Sequence, residues 1–115
     1  MSATLNDRAL GHARELIRSG KVVRDDRDDW SEDAPSTDQQ NHFIDQHSWG
    51  DYAEWHLGVD SHASEKTKGR YSFPYGDFEK VHRCALISLE SRAAQNDHDD
   101  IARAAKQLLD LIDNK

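Results

Sequence analysis

Cysteine is nearly missing from this chain. Cys84 stands alone among 115 residues, and a single thiol excludes the disulfide-stapled scaffold of small secreted domains. No apolar run approaches the about 20 residues needed to cross a bilayer. The opening stretch, M-S-A-T-L-N-D-R-A-L, carries acid where a signal peptide needs base and has no apolar core, so the expected compartment is the cytoplasm. Phosphate-binding loops, dinucleotide fingerprints, G-x-S-x-G elbows, H-E-x-x-H and Cys-x-x-Cys pairs are all absent. An EF-hand frame started at Asp26 fails, because Trp30 and Ser31 fall where a ligand and a glycine are required. No catalytic residue, cofactor or metal ligand set is assigned on these grounds.

Apolar residues are also scarce, at 36%. A chain of this length makes one domain, residues 1–115, with a modest core and broad polar faces. Net charge is −7, which repels phosphate backbones and argues against general nucleic-acid binding. The charge is segregated. Residues 24–45 hold eight acids and two bases, whereas residues 64–92 hold six bases and four acids.

Aromatic residues are concentrated: seven of nine lie between residues 49 and 78, where they should supply much of the core. The periodicity predicts a helix over 4–19, capped by Thr4 or Asn6, with Leu5, Ala9, Ala13, Leu16 and Ile17 inward. Residues 24–35 read as a solvated acidic loop in which Trp30 folds back as an anchor. A second helix over 36–48 starts on a Ser36/Gln39 capping box. A third, over 48–56, places Trp49, Tyr52, Ala53 and His56 on one face and leaves Trp55 off it. Residues 71–77 form a turn around Pro74, and Asp77 caps a long helix over 78–95. A last helix over 99–113 should fold back on it as an antiparallel hairpin. The expected fold class is mainly α, an all-helical domain of four to five helices. Any strand should be short, near Val22–Arg24 or Leu57–Val59.

Seven histidines show no metal-binding spacing. His82 and Cys84 sit two apart, and on a helix such side chains diverge, so Cys84 reads as a buried structural thiol. A fold-assembled site from His47, His56 and Asp51 stays open, without a recognisable frame. Lys66, Lys68, Arg70, Lys80, His82, Arg83 and Arg92 surround Tyr71, Phe73 and Tyr75. Bases beside aromatics suit phosphate or a single strand, while ion pairing and snorkelling over the rings is the plainer reading. The candidate binding surface comprises Trp55, His56, Lys68, Arg70, Tyr71, His82 and Arg83.

The pattern Trp49-x-x-Tyr52-x-x-Trp55-x-Leu57-Gly58-Val59-Asp60, followed by Lys68-x-x-Tyr71-x-Phe73-Pro74-x-Gly76-Asp77-Phe78-x-x-Val81-His82-Arg83, resembles a group of small uncharacterised bacterial proteins. It is weakly similar to phage-encoded segments found with capsid-maturation genes. The resemblance covers residues 49–113 and implies a compact module without catalytic residues. Three functions follow as expectations. The first is a non-enzymatic protein-interaction module, self-associating or binding a protein partner. The second is a small enzyme or metal-dependent ligand-binding protein with its site near 47–56 and 66–83. The third is an acidic phage-related factor acting through 25–33.

Overall fold

The computed structural model describes residues 3–25, 30, 34–64 and 66–114. They form five α-helices and five short strands. In chain order these are β1 (Thr4–Leu5), α1 (Asp7–Arg18), β2 (Val22–Val23), α2 (Thr37–Gln46), α3 (Trp49–Ala53), β3 (His56–Val59), β4 (Tyr71–Pro74), β5 (Val81–His82), α4 (Arg83–Gln95) and α5 (Asp99–Asp113). A 3-10 turn, Lys68–Arg70, precedes β4. The fold is α+β, which overturns the expectation of a mainly α, all-helical domain. One antiparallel sheet runs β1-β3-β4 and a second, parallel pair joins β2 to β5.

The helical expectation fails at three places: Thr4 and Leu5, read as the start of the first helix, pair instead with Val59 and Gly58 as β1, so that helix begins only after Asn6, and two further places fail for local reasons. Helix α3 stops at Ala53, and His56 to Val59 turn into a strand buried along most of its length. A strand covered on both faces has no polar alternation to betray it. Gly58 permits its tight pairing, because a Cβ there would collide with Ser72 and the Phe73 ring. The third place is the start of the long helix, which begins at Arg83 and not at 78. Asp77 Oδ1 accepts from the amides of Glu79 and Lys80, folding the chain into an Asx-type bend. Phe78 then takes φ of 72°, a left-handed conformation that no helix continues through. Val81 and His82 pair in parallel with Val22 and Val23 before α4 begins.

Helices α1, α4 and α5 pack together around one core. Ala9, Leu10, Ala13 and Ile17 of α1 meet Ile101, Ala104, Ala105, Leu108 and Ile112 of α5 and Leu86, Leu89 and Ala93 of α4. The α4–α5 connection turns on Asp97, at φ 61°, and His98 N–H closes on the Ala93 carbonyl at 2.8 Å. Asn6 anchors α1 to the aromatic half. Its Oδ1 caps the helix at the Ala9 amide, while its Nδ2 donates to the carbonyls of Ala53 and His56 at 3.1 and 3.2 Å. The capping box of α2 forms as Ser36 and Gln39 dictate, with reciprocal bonds of 2.8 and 3.2 Å.

Candidate ligand site

The aromatic residues do not all enter the main core. Tyr52 from α3, Trp55 and His56 from the turn into β3, Tyr71 from β4, and Phe78 from the bend form a wall of rings. Trp30, Gln40, Lys68, Pro74 and Gly76 complete a cavity of about 280 Å³. The rings brace one another: Tyr52 meets Tyr71 edge to face at 5.8 Å, Trp55 meets Phe78 likewise at 6.0 Å, and Tyr52 lies 4.4 Å from the His56 imidazole. Such offset and edge contacts hold aromatic walls in fixed orientations. Gly76 is required here because a Cβ would lie 2.6 Å from the Trp55 ring and 2.5 Å from the Lys80 carbonyl.

His56 gives this apolar cavity its polar character. The imidazole is buried, and its Nδ1 lies 2.8 Å from the Tyr52 carbonyl. A carbonyl only accepts, so Nδ1 carries the proton and Nε2 presents a lone pair. Burial pushes the pKa down to about 4, against the small opposing effect of the Tyr52 carbonyl. His56 is therefore neutral at physiological pH. Nε2 has no hydrogen-bond partner among the described residues, although the Tyr52 hydroxyl is occupied by Gln40 Oε1 at 3.1 Å. Lys68 stands half-buried on the same wall. A larger depression of about 760 Å³ lies between α2 and the 77–79 bend, but Asp38, His42, His47 and Glu79 line it and are exposed. It is an open groove of mixed character, since Pro35, Phe43 and Phe78 line it as well.

Behind the cavity, Trp55 stacks on Tyr75 at 5.5 Å and meets His12 edge to face at 5.0 Å. Tyr75 O–H donates to the Glu54 carbonyl at 2.7 Å and its oxygen accepts from His12 Nδ1–H at 2.9 Å. Burial, then the Glu54 charge, holds the phenol far above its usual range. This triad braces the inner side of Trp55, with the Tyr75 hydroxyl both donating and accepting.

A second polar cluster lies at the β2–β5 pair. His82 Nδ1 is 2.6 Å from Asp25 Oδ2 and His82 Nε2 is 2.7 Å from Asp77 Oδ2. The His82 and Asp25 side chains are only 6% and 7% exposed, and Trp30 covers His82 at 5.4 Å between ring centroids. Burial works against the imidazolium, but hydrogen bonds to Asp77 and Asp25 outweigh it and raise the His82 pKa. Burial likewise opposes the Asp77 carboxylate, yet His82 and the Lys80 and Glu79 amides hold its pKa below the usual value. Asp25 Oδ1 accepts from the Cys84 amide at 2.8 Å, so Asp25 also caps α4. Asp25 is thus a buried anchor, which corrects the reading of the whole acidic stretch as solvated. Residues 26–29 and 31–33, the remainder of that stretch, lie outside the described residues.

The candidate binding surface divides. Trp55, His56, Lys68 and Tyr71 line the cavity together. His82 does not; Trp30, which lines the cavity, packs against it. Arg70 is turned to the carbonyls of Ala63 and Ser61, at 2.7 and 3.5 Å. Arg83 forms a paired contact with Asp113 at 3.0 and 3.1 Å on α5. His47 and His56 do not converge on Asp51: His47 lies 3.9 Å from Asp51 in solvent, while His56 points into the interior. Tyr52, Phe78, Gln40 and Trp30 belong to the wall although sequence reasoning did not place them there. Asp77, a helix-cap candidate in the sequence, instead holds His82 Nε2 at 2.7 Å and the bend at 79–80. No helix among the described residues is long and apolar enough to cross a membrane.

No protein-family model, curated protein or solved structure compared with this chain matches it.

Proposed function

We propose that this protein is a non-enzymatic binding module whose aromatic cavity seats a small planar molecule. The observation that carries this reading is His56: a buried, neutral imidazole offering an unpaired Nε2 acceptor inside a wall of rings. A cavity of about 280 Å³ lies at the lower edge of the usual range for ligand pockets, about 300–1,000 Å³. It suits one or two fused rings. The ligand stacks among Tyr52, Trp55, Tyr71 and Phe78, donates an N–H or O–H to His56 Nε2, and turns an acceptor or anionic edge to Lys68.

Binding is favoured over catalysis because an imidazole with a pKa of about 4 is an acceptor and a poor base at neutral pH. The cytoplasm is the compartment that suits a chain whose single cysteine, Cys84, is buried. The acidic charge sets nucleic acids aside as partners.

A fragment screen by ligand-observed NMR tests the reading. One- and two-ring heteroaromatics with a ring donor should bind and shift the indole N–H signals of Trp30 and Trp55. Replacing His56 with Phe should abolish those hits, and Lys68→Ala should weaken the acidic ones. Hits that bind His56→Phe equally well, or an absence of hits at millimolar concentration, would refute it.

A further inference from the structure

The Asp25–His82–Cys84 cluster has a property that its structural role does not require. We infer that these three side chains form a transition-metal site of the zinc type, with Asp77 orienting the histidine. The carboxylate of Asp25, the imidazole of His82 and the thiol of Cys84 offer donor atoms all within 4.8 Å of one another. Bond lengths to zinc of about 2.0–2.3 Å let three donors at such separations share one ion after small side-chain adjustments. The three come from different elements. Asp25 follows β2, His82 ends β5, and Cys84 opens α4. The parallel β2–β5 pairing, Val23 opposite His82, brings the first to the other two. His82 lies in a strand and not in the helix, so it and Cys84 do not diverge as their spacing on a helix would demand.

The surrounding groups suit a metal. Asp77 Oδ2 lies on His82 Nε2 at 2.7 Å, leaving Nδ1 on the side of Asp25. This carboxylate–histidine pairing fixes the ring and raises its basicity towards an ion at the other nitrogen. Cys84 sits in the first turn of α4, where the helix N-terminus favours thiolate. The mixed oxygen, nitrogen and sulfur set selects a borderline-soft ion such as Zn²⁺ over Mg²⁺ or Ca²⁺. Charge also balances. One divalent ion enters as the Nδ1 proton of the His82 imidazolium and the thiol proton of Cys84 leave to solvent. The buried net charge is unchanged, and the bonds formed are metal–nitrogen, metal–sulfur and metal–oxygen. Three protein ligands leave a fourth position for water.

Cobalt titration of the chelator-treated full chain tests the assignment. Co²⁺ should produce visible tetrahedral bands together with a near-ultraviolet thiolate charge-transfer band, and Zn²⁺ should displace it stoichiometrically. Zn²⁺ should raise the thermal midpoint by several degrees. Cys84→Ser should remove the sulfur band and weaken Zn²⁺ binding at least tenfold. An absent sulfur band in the wild-type chain overturns the inference without recourse to any variant. A Zn²⁺ effect on the midpoint that is undiminished in Cys84→Ser also overturns it, since the ion then sits on other histidines.

Discussion

Acid should unfold this protein partly through His56, and the size of that effect follows from its burial. In the folded chain the imidazole titrates at about 4, against 6.5 in the unfolded chain. Below 6.5 the unfolded chain takes up a proton that the folded chain refuses. Stability therefore falls as pH falls through that window, and levels off only when the folded imidazole also protonates. At about 1.4 kcal/mol per pH unit, the span from 6.5 to about 4 amounts to about 3 kcal/mol. With a urea slope of about 1.5 kcal/mol per molar for a chain of this size, the denaturation midpoint should move by about 2 M. Carboxylates contribute their own acid slope, so the informative quantity is a difference. His56→Asn retains an N–H that reaches the Tyr52 carbonyl but cannot titrate. Urea melts at half-unit pH steps should show the wild-type chain losing about 3 kcal/mol more than His56→Asn between pH 6.5 and 4. Parallel slopes would refute the burial of a neutral imidazole, and with it the lone-pair acceptor on which the ligand reading depends.

Three further outcomes follow from contacts described above. In metal-free protein, Asp25→Ala should cost about 3 kcal/mol in chemical denaturation at neutral pH, because it removes a charge-assisted bond to His82 and orphans the Cys84 amide. Since the His82 pKa is raised, the bond's contribution is complete below about 6.5 and lost as pH rises through the folded value, so the penalty should shrink in alkali; a pH-independent penalty would contradict the pairing. Asn6→Ala should cost about 2–4 kcal/mol, combining a lost helix cap with two unpaired carbonyls. A loss under 1 kcal/mol would show those bonds to be replaceable by water. Gly76→Ala should lower the thermal midpoint and displace the Trp55 ring, read as altered indole fluorescence; an unchanged spectrum would show that the Trp55 contact yields freely.

Local chemistry was legible in the sequence and long-range chemistry was not. Ser36 and Gln39 declare their capping box because both partners lie within one turn. The inward face of α5 is equally plain from Ile101, Ala104, Ala105, Leu108 and Ile112. His82 could not declare Asp25, which lies 57 positions away. Nor could His56 declare a strand, since β3 is only four residues long and has no polar face. The helix start at Arg83 was hidden because Phe78 holds a positive φ that side chains usually avoid, and no local preference predicts it. Within the cavity, Trp55, His56, Lys68 and Tyr71 drew attention as aromatics and bases close in sequence. Gln40 and Trp30 arrive from elsewhere in the chain.

The position of α1 has a consequence for how the chain is made. Its apolar face, Ala9, Leu10, Ala13 and Ile17, finds its covering surfaces in β3, β5 and above all α5. During synthesis that face must wait for nearly a hundred further residues before Leu108 and Ile112 emerge to cover it. The β3–β4 pair can therefore form before α1 gains its α5 surface. A nascent chain whose α5 is still inside the ribosomal tunnel should hold α1 exposed to proteases and chaperones, while the released chain should not.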